Sequence, residues 1–201
     1  MKPMPYHRYV FDEKRKVFVG DFEKMYQHED IDEYDSWQQE SGPGAITFQV
    51  SKLILDMYNF DRILDIGCGK GTFTQILKRR NNYVLGMDIS PTAIKKASIK
   101  YPECEFLVKA ADEAALLGKF NLVVLMEVLS YIENWRDLIY DLRGMTEWLY
   151  ICLFIPDNPI GYVKSYRDLL DVVSDCFAIK TEIIIDEYSF CVLARASKGE
   201  R

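Results

Sequence analysis

The chain holds only two histidines and five cysteines, and it has no apolar run near the length of a membrane span. A bilayer-crossing helix needs about 20 consecutive apolar residues, so no membrane partner is expected. The cysteines, Cys68, Cys104, Cys152, Cys176 and Cys191, form no Cys-x-x-Cys pair and show no zinc spacing. That leaves neither a metal centre nor a disulfide framework to expect. Cys152 and Cys191 lie inside apolar runs and read as small buried hydrophobes. Cationic residues are in deficit: 25 Lys and Arg against 31 Asp and Glu, a formal net charge of −6. A large nucleic-acid footprint requires a basic surface, so no nucleic-acid partner is expected either. The segment Met1-Lys2-Pro3-Met4-Pro5-Tyr6-His7 has no hydrophobic signal region. With no disulfide pattern, the expected compartment is the cytoplasm.

What is present is ample apolar content. Hydrophobic residues make up 49% of 201 positions, enough for one well-packed unit. The most informative stretch is Arg62-Ile63-Leu64-Asp65-Ile66-Gly67-Cys68-Gly69-Lys70-Gly71-Thr72. Ile63, Leu64 and Ile66 read as a buried parallel strand. Gly67, Gly69 and Gly71 permit a tight backbone turn. Thr72 to Arg80 then reads as a helix, with Phe73, Ile76 and Leu77 on one face. Strand, glycine turn and helix together turn backbone N–H groups toward a ligand.

Three readings of that turn compete. The dinucleotide fingerprint Gly-x-Gly-x-x-Gly would need its third glycine at Thr72, so it fails as written. Asp65 would also repel a pyrophosphate, whereas a carboxylate is favourable beside the sulfonium and ammonium of S-adenosylmethionine. The third reading is a glycine turn with no ligand.

A second strand, Tyr83 to Asp88, ends in an acid close to the spacing of about 20 residues that puts a carboxylate on ribose hydroxyls. Ser90-Pro91 supplies a helix cap and a first-turn proline for Thr92 to Tyr101, which leaves Asp88 for a ligand. Cys104 to Lys109 is the third strand, with Ala110-Ala111-Asp112 at its carboxyl end. Phe120 to Met126 is the fourth, continued by Glu127-Val128-Leu129-Ser130-Tyr131-Ile132. Ligands of open α/β sheets sit at the carboxyl ends of the strands, so Met126 to Tyr131 should border a reaction centre. There Val128, Leu129 and Ile132 read as core, and Glu127 and Tyr131 as the polar exceptions. Trp135 to Leu142 is a helix and Trp148 to Phe154 the fifth strand. A proline-rich loop at 155–165, a helix at Ser165 to Val173, and two β runs, Ala178 to Asp186 and Tyr188 to Ala196, complete the pattern. The tail, Ser197 to Arg201, reads as frayed.

Upstream, residues 1–44 are rich in aromatics and acids and read as a cap or lid ahead of a folding unit at 45–201. Val17 to Tyr26 reads as a helix. The acidic run His28 to Glu40 has no clear period, and its carboxylates repel unless solvated or paired. As a lid it would bring Trp37 over a ligand; as a solvated cap it would not. Ser41-Gly42-Pro43-Gly44 is a turn and a candidate hinge, and Ala45 to Tyr58 a helix.

The words Leu64-Asp65-Ile66-Gly67-Cys68-Gly69-Lys70-Gly71, Gly86-Met87-Asp88-Ile89-Ser90 and Asp112 resemble those of the class I S-adenosylmethionine-dependent methyltransferases. The resemblance covers residues 50–155 well and the flanks weakly. It implies a Rossmann-like, doubly wound α/β fold. Such a fold has a seven-stranded sheet, mostly parallel with an antiparallel C-terminal strand, and helices on both faces. It also implies S-adenosylmethionine as cosubstrate, held by Trp37, Asp65, Gly67, Cys68, Gly69, Asp88, Ile89, Ala111, Asp112, Met126 and Glu127, with Asp112 and Ala111 at the adenine. A base, where one is needed, would come from His28, Glu127 or Tyr131, with Asp157 a further candidate; His28 has the most suitable ordinary pKa.

The fourth strand lacks the Asn/Asp-Pro-Pro-Tyr/Phe motif of base methyltransferases, and no Pro-Cys nucleophile motif is present. With the acidic balance, this points to a small-molecule acceptor. Asp35-Ser36-Trp37 and the 156–165 loop loosely resemble methyltransferases of sugar and nodulation-factor type. A protein or RNA methyltransferase and a non-catalytic binding module are the alternatives.

Overall fold

A computed structural model of the chain describes residues 4–12 and 14–197. Residues 1–3 and 13 of the expected cap, and the tail at 198–201, lie outside the described residues. In chain order the elements are α1 (His7–Val10), β1 (Phe11–Asp12), β2 (Val17–Phe18), α2 (Phe22–His28), α3 (Ile46–Asp56), β3 (Arg62–Ile66), α4 (Thr72–Leu77), β4 (Tyr83–Asp88), α5 (Pro91–Lys100), β5 (Glu105–Val108), β6 (Phe120–Met126), α6 (Trp135–Arg143), β7 (Thr146–Phe154), α7 (Tyr166–Cys176), β8 (Phe177–Ile184) and β9 (Ser189–Ala196).

The main sheet has seven strands in the order β5-β4-β3-β6-β7-β9-β8. The pairs β3–β4, β4–β5, β3–β6 and β6–β7 are parallel. β9 is inserted between β7 and β8 and runs antiparallel to both. This is the Rossmann-like arrangement with its reversed C-terminal strand. The order changes direction at β3, between β4 and β6, and a crevice at such a switch point is where ligands of open α/β sheets bind.

Strand alternation sorts the core onto two faces. On β6, Val123 and Leu125 join Trp135, Leu138, Ile139, Leu142, Leu169 and Val173 from α6 and α7. Leu122, Val124 and Met126 face the other way, onto Ile54, Leu55, Phe73 and Leu77 from α3 and α4. Trp135 is 1% exposed; truncating such a side chain to alanine costs about 3–5 kcal/mol. A third cluster, Tyr6, Val10, Met25, Tyr26 and Ala93, docks the N-terminal segment on α5.

Two elements differ from expectation. Val17 to Tyr26 is not one helix. Val17 and Phe18 pair with Asp12 and Phe11 as a strand, and Gly20 turns the chain at φ 71°. Asp21 Oδ1 then accepts from the Lys24 N–H and starts α2 at Phe22. The helix from Thr72 stops at Leu77, short of Arg80. Asn82 Nδ2 donates to the Leu77 carbonyl at 2.9 Å and Asn82 Oδ1 accepts from the Arg79 N–H at 2.7 Å, which ends the helix by side-chain capping. All five cysteines are free and buried. No helix among the described residues is long and apolar enough to cross a membrane.

Candidate active site

The carboxyl ends of β3, β4, β5 and β6 open into a cavity of about 500 Å3 that the N-terminal segment also lines. Its floor is the glycine turn. Gly67 (φ 72°) and Gly69 (φ 54°) adopt left-handed conformations that disfavour a side chain. Space forbids one as well. A Cβ on Gly67 would lie 2.2 Å from Val128 Cγ2, and one on Gly69 would lie 2.2 Å from Gln39 Nε2 and 2.6 Å from the Tyr26 hydroxyl.

Asp65 lines the cavity at 1% exposure. Its Oδ2 accepts from the Thr74 hydroxyl at 2.7 Å, and its Oδ1 has no hydrogen-bond partner. Burial pushes its pKa up to about 7, with the Thr74 hydrogen bond opposing and the neighbouring Asp88 adding to the rise. Asp88 also lines the cavity. Its Oδ2 accepts from the Gly69 N–H and its Oδ1 from the Ser90 N–H, each at 2.9 Å. Asp88 is therefore not left wholly for a ligand: it also ties the glycine turn to the start of α5. Each carboxylate oxygen keeps a second lone pair. Burial raises the Asp88 pKa against the pull of those N–H groups. Ser90 is the cap of α5, its Oγ accepting from the Ala93 N–H at 3.0 Å.

At the end of β6, Glu127 takes a left-handed conformation, φ 56°, uncommon for a residue with a Cβ. Its carboxyl accepts from the Phe154 N–H at 2.8 Å and from Cys152 Sγ at 3.5 Å, and burial raises its pKa. Backbone strain of this kind, with a carboxyl in an apolar wall, clusters at functional sites. Burial also raises the Tyr131 hydroxyl, with the Glu127 charge adding to it.

Trp37, Asp65, Gly67, Cys68, Asp88, Ile89, Ala111, Met126, Glu127 and Tyr131 all line this cavity. Gly69 is not part of the lining and acts through its N–H on Asp88. Asp112 is exposed and outside the lining; Lys109, Ala110 and Ala111 take that place. The carboxylate that works locally is Glu113, accepting from the Ala110 N–H at 2.9 Å and pairing with Lys109 at 2.8 Å. His28 also lies outside the lining, its Nδ1 at 2.8 Å from the Lys24 carbonyl and its ring beside Tyr9. Asp157 lies outside the lining too, accepting from the Tyr188 hydroxyl at 3.0 Å. Among the described residues no His, Cys, Asp and Glu cluster is placed to hold a metal ion.

Residues 63–147 match a family model described as a methyltransferase domain. That stretch runs from β3 through β6 into β7, so the likeness to methyltransferases covers the strands that border the cavity. Over 88 residues it is 32% identical to the mitochondrial ubiquinone biosynthesis O-methyltransferase of Schizosaccharomyces pombe, covering 40% of this chain and 32% of that protein. A ubiquinone biosynthesis O-methyltransferase of Xylella fastidiosa is 24% identical over 127 residues, covering 55% of this chain and 52% of the relative. The chain thus spans about half or less of the length of these curated relatives. Among solved structures, the N-methyltransferase NodS of Bradyrhizobium japonicum in complex with S-adenosyl-L-homocysteine superposes with a TM-score of 0.65 at 20% identity, over 76% of this chain and 86% of that one. Magnesium protoporphyrin IX methyltransferase of Synechocystis with bound S-adenosylmethionine gives 0.64 at 19% identity, over 98% and 100%. These likenesses show the fold.

The glycine turn is covered by a segment whose contacts were hidden in the sequence. Lys70, inside the glycine turn, is buried, and its Nζ pairs with Glu29 and Asp35, each at 2.8 Å, with Glu40 at 3.6 Å. Glu29, itself 4% exposed, also pairs with Lys96 at 2.8 Å and accepts from the Ser36 N–H at 2.6 Å. Burial opposes ionisation of Glu29, but the Lys70, Lys96 and Ser36 hydrogen bonds outweigh it and lower the pKa. Gln39 Oε1 accepts from the Lys70 N–H at 2.6 Å, and Glu23 accepts from the Ser90 and Thr92 hydroxyls at 2.5 and 2.6 Å. Within the acidic run Glu29, Asp35 and Glu40 are therefore paired with lysines, while Asp30 stays 83% exposed to solvent. Tyr26, Gln39, Phe18, Phe22 and Phe48 join the cavity unannounced by any motif. The one available signal was a run of carboxylates with no period, which has to find cations somewhere.

Proposed function

We propose that the protein transfers a methyl group from S-adenosylmethionine to a small-molecule acceptor. The observation that carries this is Asp65, which lines a cavity rich in carboxyls and whose buried Oδ1 has no hydrogen-bond partner. Asp65, Asp88 and Glu127 line it, and its lysine, Lys109, is already paired with Glu113. An anionic, partly desolvated pocket favours a cation and repels a pyrophosphate. The cosubstrate would supply a methyl group already activated on a sulfonium.

In this reading Asp65 and the glycine turn hold the ammonium end. The free lone pairs of Asp88 accept from ribose hydroxyls, and Ile89, Ala111 and Met126 enclose the adenine. Trp37 and Gln39, on the N-terminal lid, close over the top and exclude water, which strengthens each of these electrostatic contacts. Glu127 and Tyr131 stand where an acceptor proton would go, and His28 does not. For the acceptor we propose a small metabolite, the class to which the expected sugar belongs. A protein or RNA acceptor would call for a basic groove, which the lining does not offer.

Titration calorimetry with S-adenosylmethionine tests the reading. Wild-type protein should bind, and Asp88→Ala should bind far more weakly. Absence of heat from a folded wild type would leave only a scaffold. Transfer of labelled methyl into a metabolite extract then identifies the acceptor.

A further inference from the structure

One wall of the cavity is built from rings. Tyr131 stands at its centre, with ring centroids 5.9 Å from Phe18, 5.4 Å from Phe22 and 5.3 Å from Trp37. Phe18 lies nearly parallel to Tyr131, at 14°. Phe18, Phe22 and Trp37 come from the N-terminal segment and Tyr131 from the stretch after β6, so the wall spans the seam between them. Its polar inventory is short. The Glu127 carboxyl has one oxygen on the Phe154 N–H and the other near Cys152 Sγ. The Tyr131 hydroxyl makes no hydrogen bond to the described residues.

We propose that the acceptor bound against this wall is a flat aromatic ring bearing a hydroxyl, a phenol rather than a polyol. The inference rests on the methyl-transfer reading above and narrows its acceptor. A sugar enters with several hydroxyls, and each one stripped of water without a new partner opposes binding. Two polar side chains cannot pair them all. A phenol has one such group, and its faces match the rings, where offset and edge contacts are favourable. The hydroxyl meets Glu127 or Tyr131. Methylation of it forms an oxygen–carbon bond and breaks the methyl carbon–sulfur bond. The electron pair stays on sulfur and the phenolic proton passes to the Glu127 carboxylate.

The test is binding, not turnover. Protein saturated with S-adenosylhomocysteine is titrated with 4-methylphenol, 4-methylcyclohexanol and methyl glucoside, read by tryptophan fluorescence and by ligand-observed NMR. The phenol should bind at least tenfold more tightly than the cyclohexanol, and the glucoside should not bind. Phe22→Leu, which keeps the wall apolar but removes a ring face, should weaken the phenol severalfold more than the cyclohexanol. Equal affinity for phenol and cyclohexanol, or tighter binding of the glucoside, overturns the acceptor class. Failure of S-adenosylhomocysteine itself to bind overturns methyl transfer, so the two failures are distinguishable.

Discussion

The two halves of the cavity are held in place by different physics. The floor, from β3 through the glycine turn to β4 and β6, is fixed by backbone: parallel ladders, and Gly67 and Cys68 N–H groups on the Met87 carbonyl at 2.8 and 3.0 Å. The cover, residues 4–12 and 14–44, has only the two-stranded pair β1–β2 and short helices of its own. It is held by rings and by ion pairs to Lys70, Lys96 and Lys100. A backbone-held floor keeps its shape when side chains titrate. A cover held by carboxylate–lysine pairs answers to charge, and its grip is concentrated in a few replaceable groups.

The most severe way to break this contrast is Lys70→Met. It strips one of two lysine partners from Glu29, which stays buried and keeps Lys96, and the lysine from Asp35, 28% exposed. Removing one member of a buried pair costs about 3–5 kcal/mol. Urea denaturation should report that loss, and limited proteolysis should cut first within 14–44. A change below about 0.5 kcal/mol would show that the pairs do not hold the cover. On the floor, Asp88→Ala should weaken S-adenosylmethionine about a hundredfold. That corresponds to roughly 2–3 kcal/mol, the size of hydrogen bonds to a charged group. Lys96→Met, at the cover, should be milder than Lys70→Met, because Lys96 is 27% exposed and retains partial hydration.

Acidity separates the halves more finely. The Asp65 pKa is raised to about 7, above its ordinary value near 3.9. Between those values the folded protein holds a proton that the unfolded chain has released. This group's contribution to ligand-free stability therefore falls as pH rises toward 7 and is flat above. Cation binding requires that proton to leave, so affinity for S-adenosylmethionine should drop about tenfold per pH unit below 7. Calorimetry in buffers of different ionisation enthalpy should show proton release, and Asp65→Asn should abolish it. Glu29 has the opposite sign. Its pKa is lowered, so its contribution is complete above its unfolded value near 4.3 and is lost as pH falls through the folded value. From pH 7 to 5.5 the floor should respond and the cover should not. The smallest effect is at the seam, where Ser90 caps α5 and donates to Glu23. Ser90→Ala should cost about 1 kcal/mol of stability by thermal unfolding.

The same contrast explains what was legible in the chain. The floor obeys local rules: buried runs bounded by turn residues gave β3, β4 and β6 their positions, and Ser90-Pro91 announced α5. Asp65, Asp88 and Glu127 stood out because a carboxyl near a strand's carboxyl end is anomalous on its own, and all three line the cavity. The cover obeys no local rule. Glu29, Asp35 and Glu40 meet a lysine far along the chain, so no period appears. Val17 to Tyr26 has helical spacing, yet pairing with Phe11 and the turn at Gly20 override it. His28 had the right chemistry but points to Lys24 and Tyr9. Asp112 and Glu113 are neighbours, and only geometry shows that the latter closes the turn.

Lys70 stands between Gly69 and Gly71, so one short turn would face the proposed cosubstrate on one side and anchors the cover on the other. Thermodynamic reciprocity then binds the two events to a single number. Whatever factor cosubstrate occupancy adds to the anchoring of residues 14–44, loss of that anchoring subtracts from occupancy. Measuring either one, by protection of backbone amides in the cover or by affinity after Lys70 is replaced, measures both.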